Sequence, residues 1–335
     1  MKTAIVVHGN LRTFLMPTRE NPNETVCDNF LKHVVNCNPD ADIFMVTDCN
    51  DFYYDGSVYW CDGSDIQIMN NNAFRLYHDM KTESKETCKE IIERELRQRI
   101  PNLKSLLVEY PYDSSMDENY DRLKKSGHGG HAPPMLIGQY RKLHILYNML
   151  SSYEEEHGFR YDSIIKTRFD NLLSRNLTAP QNSPNQMRVP GVKGEYFAHD
   201  WYGSGDRNVM EKYLRLYENL GFTVTNPAWI EECGGSKIHK GMFPKENFEG
   251  VNDGCHRADI TISSEYHLGL MLKQNGISAT GGPHVLIYRY LPVNHDPAHV
   301  MLQKNKDNLQ GVSLVNFTPD TMTPTRIKIE DIPND

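Results

Sequence analysis

Short apolar runs alternate along the chain with stretches whose apolar positions recur every three or four residues. The runs are "KTAIVVHG" (2–9), "ADIFMVTD" (41–48), "KSLLVEY" (104–110), "YDSIIKTRF" (161–169), "GEYFAHDW" (194–201) and "HVLIYRY" (284–290). Their length and their β-branched and aromatic content predict strands. Helical spacing predicts helices over about 24–36, 82–99, 135–156, 206–220 and 263–275. The third of these carries Leu136, Leu143, Leu146, Tyr147 and Leu150 on one face. Strands separated by helices predict an α/β fold, a mostly parallel sheet flanked by helices. Ligands of such sheets bind at the carboxyl ends of the strands.

Polar residues cluster at three of those ends: His8 to Arg12, Asp48 to Asp51, and Arg168 to Asn171. At the first, Gly9 permits close backbone approach and Arg12 is suited to a phosphate. No GxGxxG follows, so a dinucleotide fingerprint is not supported. At the third, Arg168 offers a planar donor fork. Asp170, with Asn171, offers oxygen to a hard cation such as Mg or Mn. The plainer reading of that pair is an Arg–Asp ion pair closing a strand. Gln139 and Lys142, three apart near the expected start of a helix, suit an anion. Asp200 and Trp201 close the expected strand 194–201. Ser204 or Asp206 is placed to cap the next helix, and Glu265 falls in the first turn of the last one. The histidine-rich stretches 126–131 and 294–299 lack zinc-site spacing, and no GxSxG occurs.

Composition narrows the function classes. With 335 residues the chain is long enough for two domains, or for one large α/β domain with insertions. A net charge of −8 argues against a general nucleic-acid binder. No apolar run reaches the roughly 20 residues that cross a bilayer, and the first strand is too short for a signal-peptide core. The seven cysteines are scattered without a CxxC pair, which fits a reducing cytoplasm better than a disulfide framework. Without a secretory signal, the sequons at Asn23, Asn176 and Asn316 read as chance matches. Long polar loops are expected over 49–81, 111–134 and 222–262, and an aperiodic tail over 301–335. There is no internal repeat.

In succession, "IVVHGNLRTF", "DIFMVTD", "QYRKL", "YEEEHGFRYDSIIKTRFD", "DWYGSGDRNVMEKY" and "SEYHLGLMLKQNGI" resemble WavE-like bacterial and viral glycan-synthesis glycosyltransferases over about residues 2–290. The resemblance implies a GT-A-type, Rossmann-related fold, with a nucleotide-binding half at about 1–172 and an acceptor half at about 173–300. It implies a nucleotide-sugar donor and a glycan or other hydroxyl acceptor. His8, Gly9, Arg12, Lys142, Arg168 and Asp170 would hold the donor, and Asp200 and Glu265 would act at the sugar or as base. It also implies Mn or Mg at a strand-end DxD motif. Here that motif reads Arg168-Phe169-Asp170, so Asp170 is left as the metal ligand and Arg168 stands where the first Asp would be. Two alternatives accompany this reading: a non-catalytic nucleotide- or glycan-binding module with a degenerate DxD, and a nucleotidyltransferase.

Overall fold

The structure, a computed structural model, describes residues 1–11, 14–15, 23–48, 52–54, 57–59, 85–109, 112–125, 132–179, 184–192, 198–220, 264–282, 285–287, 313–317 and 324–328. Arg12, residues 49–51, the histidine-rich stretches 126–131 and 294–299, all of the expected loop 222–262 and most of 49–81 lie outside them, whereas 111–134 is mostly described and largely helical.

The chain opens with β1 (Thr3–His8), α1 (Val26–Phe30), β2 (Asp42–Asp48), the hairpin strands β3 (Phe52–Tyr54) and β4 (Ser57–Tyr59), α2 (Lys85–Arg99) and β5 (Leu103–Glu109). Then come α3 (Glu118–Lys125), α4 (Ala132–His157), β6 (Ser163–Arg168), β7 (Asn171–Leu173), β8 (Gln186–Val189), β9 (Gly203–Asp206) and α5 (Arg207–Leu214). After these the described elements are α6 (Ser264–Gln274), β10 (Ser278–Gly281), β11 (Val285–Ile287), β12 (Ser313–Phe317) and β13 (Pro324–Lys328).

Among the described strands, seven form one sheet in the order β10-β8-β9-β6-β1-β2-β5. Only β9 opposes the others, pairing antiparallel with both β6 and β8. The expected mostly parallel α/β architecture is therefore what the chain adopts. β1 is buried along its whole length, because period-two alternation feeds two cores. Ile5 and Val7 pack in the core that contains α1 and α2, while Ala4 and Val6 pack beneath α4, α5 and α6. A capping box starts α1: the Thr25 side chain accepts from the Asp28 amide, and the Asp28 carboxylate accepts from the Thr25 amide. A single π turn, Leu31–Val35, carries that helix on. Asp206 caps α5 by accepting from the Val209 amide at 2.8 Å. Arg207 then ties α5 to α4 through a buried two-pronged bond to Glu154.

Several expectations change. The stretch "GSGD", whose Ser204 and Asp206 the sequence offers only as helix caps, is β9. A Cβ on Gly203 would overlap the Met187 side chain, and one on Gly205 would come within 3.1 Å of the Gln186 carbonyl oxygen. These glycines mark close packing between strands. The strand expected at 194–201 is not formed over its described part. Ala198 makes an isolated bridge to Val192, and Asp200 and Trp201 lie in the connection into β9. Finally, α4 begins at Ala132, because Pro133 and Pro134 are tolerated in a first turn. Gln139 and Lys142 therefore sit about two and about three turns inside the helix, and the helix terminus contributes nothing to them. The tail contains an antiparallel hairpin, β12 with β13.

Candidate functional site

From β1 the chain builds outward to β2 and β5 on one side, then crosses to β6 on the other. The carboxyl ends of β1 and β6 therefore form a topological switch point, the position at which open α/β sheets bind ligands. Gly9 follows β1 with φ of +121°, a conformation that side chains beyond glycine rarely adopt.

Register decides which side chains meet there. His8 pairs with Arg168 and Val6 with Lys166 across β1 and β6. Val46 of β2 pairs with His8, so Asp48 lies two residues further on the same face. Ala4, Val6, Phe44, Val46 and Ile164 point into the core under α4. Strict alternation therefore puts His8, Asp48, Lys166 and Arg168 on that face too. Two residues of α4 reach down to them. Lys142 donates to Asp48 at 2.5 Å and, at 3.5 Å, to Asn10. Gln139 donates to the Asp200 carboxylate.

Arg168 and Asp170 grip each other. Nε and Nη2 of the guanidinium donate to the two carboxylate oxygens at 2.8 and 2.7 Å. Burial disfavours the charge on Arg168, but Asp170, by its charge and these bonds, outweighs it and raises the arginine above its ordinary value. Lys166 is fully buried on the central strand. Its ammonium donates to the Asp200 carbonyl oxygen and lies 5.4 Å from the Tyr213 ring centre. Burial, partly offset by Asp200, brings its pKa down to about 7. His8 is driven well below its usual value, first by burial and then by Lys166, Arg168 and Lys142, so its imidazole is neutral. Neither of its ring nitrogens has a hydrogen-bond partner among the described residues. Burial would push the Asp200 carboxyl up; Lys166, Arg168 and bonds from Gln139 and Ser264 overcome this and hold it below the usual range. Tyr140, buried against the same group, donates to the Ser264 carbonyl oxygen at 3.1 Å.

Seven of the eight residues singled out in the sequence are described, and they share one neighbourhood. His8 feels Lys142, Arg168 and Asp170, and Arg168 feels Asp170, Asp200 and Glu265. Gly9 borders the group through β1. Glu265, partly buried in the first turn of α6, accepts the Ala198 amide on its backbone oxygen at 3.1 Å. Arg12 lies outside the described residues. As arranged, the donors do not fit Mn or Mg. Both Asp170 oxygens face a guanidinium, whose charge opposes a dication. Asn171 spends its amide nitrogen on Thr167 and on the Trp201 carbonyl oxygen, which leaves its buried amide oxygen, without a partner among the described residues, as a single neutral oxygen donor beside the paired carboxylate. Among the described residues no three His, Cys, Asp or Glu side chains gather around a common point.

No family model and no curated protein matches the chain. Among solved structures it is similar to a nucleoside-diphosphate-sugar pyrophosphorylase from Vibrio cholerae RC9. The identity is 11% and the TM-score 0.33, over 88% of this chain and 98% of that one. A likeness of that degree carries no functional argument. No described helix is long and apolar enough to cross a membrane.

Sequence reasoning gave no role to Lys166. In the sequence it reads as the first charge of the polar end of a strand, directly after Ile164 and Ile165. Asp48, noted only as part of a polar cluster, proves to be the partner of Lys142.

Proposed function

We propose that the chain is a glycosyltransferase that binds a nucleotide sugar at the carboxyl ends of β1 and β6 and passes the sugar to a hydroxyl acceptor, such as a glycan. The observation that carries this reading is the convergence of His8, Lys142, Lys166 and Arg168 at the switch point. A leaving diphosphate needs fixed positive charge and hydrogen-bond donors placed in advance. Gly9 supplies close backbone approach, and Arg168 and Lys142 supply the donors. Asp200, buried, ionised and held by Gln139, suits a contact to the donor sugar. Glu265, on a helix start and less enclosed, suits the acceptor side as anchor or as base. Mn and Mg are the cations the family resemblance implies, but no step is drawn through either, since the donor set around Asp170 does not fit them.

The test is to incubate the protein with a panel of nucleotide sugars and candidate acceptors and to follow nucleoside diphosphate release. Sugar-dependent release of nucleoside diphosphate is expected. Pyrophosphate release from a nucleoside triphosphate would instead make the protein a nucleotidyltransferase. Saturable nucleotide-sugar binding without turnover on any acceptor would make it a binding module.

A further inference from the structure

Resting on that reading, we infer that Arg168 is itself the resident cation of the phosphate site, with Asp170 as its clamp, so that phosphoanion binding needs no divalent metal. A guanidinium carries five N–H groups in a fixed plane. Arg168 spends two of them, one on Nε and one on Nη2, on the two oxygens of Asp170. The other three have no partner among the described residues. Two of them, one on Nη2 and one on Nη1, form the terminal edge of the plane, next to the edge that the carboxylate fixes. Such an edge, held rigid, gives a phosphate two parallel donors with little further loss of side-chain freedom.

Two further observations point the same way. His8, the register partner of Arg168, is a buried neutral imidazole whose ring nitrogens lack partners among the described residues. A buried donor and acceptor left in that state belongs to a place where a ligand or water completes the bonding. Second, the other described cations at this strand end, Lys142 and Lys166, each already hold a protein partner, Asp48 and the Asp200 carbonyl oxygen, so among them the guanidinium has the most donors left for a phosphate. A dication entering at Asp170 would share the carboxylate with the guanidinium, against whose charge it would sit. The plane of Arg168 already provides the charge at that strand end. Asp170 is thus a positioning residue.

Inorganic pyrophosphate is the probe, because it tests the phosphate site without assuming a base or a sugar. Its affinity for the full chain is measured calorimetrically in EDTA and with Mn²⁺, for the wild type, Asp170→Asn and Arg168→Lys. Mn²⁺ is also titrated alone. Pyrophosphate is expected to bind in EDTA, with affinity changing by no more than about threefold on adding Mn²⁺. That small ratio should persist in Asp170→Asn, and Mn²⁺ alone should show no saturable binding. Arg168→Lys should weaken pyrophosphate about tenfold, since a point charge lacks the planar fork. Binding that requires Mn²⁺ in the wild type would overturn the inference and leave the proposed function standing, and loss of that requirement in Asp170→Asn would make Asp170 the metal ligand. If neither pyrophosphate nor any nucleotide sugar binds in either condition, both fall together. The wild-type comparison decides the matter even if a variant fails to fold.

Discussion

Lys166→Met removes an ammonium group that is fully buried on the central strand, and it keeps much of the side chain's length and packing. Its effect can be worked from the electrostatics. The folded pKa is about 7 against an ordinary 10.5. That difference amounts to about 5 kcal/mol between the two protonation states. Because the folded value is lowered, the unfolded chain binds more protons between these two pH values. Stability therefore rises with pH across that window, and the penalty is largest below pH 7. Integrated from pH 7 to pH 9, the lysine alone should add about 2 kcal/mol to the unfolding free energy. His8 contributes little there, since its folded pKa lies well below its ordinary 6.5. Cys27, raised to about 12 by burial, bends the alkaline end the other way, but equally in both proteins. The assay is urea unfolding followed by circular dichroism at pH 7, 8 and 9. The wild type should gain about 2 kcal/mol relative to Lys166→Met across the series. Parallel profiles, agreeing within about 0.5 kcal/mol, would show that Lys166 is solvated and that its desolvation by β1, β9 and α5 has been misjudged.

Other perturbations separate the roles of neighbouring residues. Asp170→Ala should abolish transfer and lower stability by about 3 kcal/mol, because it strands the buried charge of Arg168; normal turnover in a folded Asp170→Ala protein would remove its assigned role. Glu265→Gln should cut turnover by roughly 10²–10⁴-fold with donor affinity kept if Glu265 is the base of an inverting enzyme, whereas Asp200→Asn should weaken donor binding as well. The opposite pattern in paired affinity and rate measurements would exchange the two assignments, and no change in either would make both residues structural. Gly9→Ala forces a side chain into a positive-φ conformation although the space around it is open, so it should cost about 1 kcal/mol in melting experiments. A neutral result would mean the loop relaxes.

What the sequence by itself determined is local. β1 and β2 were legible because strands buried on both faces read as apolar runs, and β6 by its Ile164–Ile165 pair ahead of the charged end. The helices α4 and α6 showed their 3.6-residue period, and Asp206 showed its capping role. Chemistry at strand ends was legible as well, since His8, Asp48, Arg168 and Asp170 each follow an apolar run. Tertiary structure alone decided how those ends combine. β8, β9 and β10 carry short, polar or glycine-rich sequences, because what makes them strands is backbone pairing with partners far along the chain, and backbone bonds leave no mark on side-chain pattern. Lys166 looked like one more charge in a charged stretch until register set it under α4 beside Tyr213 and the Asp200 backbone. The same register turned Arg168 and His8 to one face and seated the arginine against Asp170. A side chain's burial, partners and proton affinity are properties of its neighbours, and only folding brings those neighbours together.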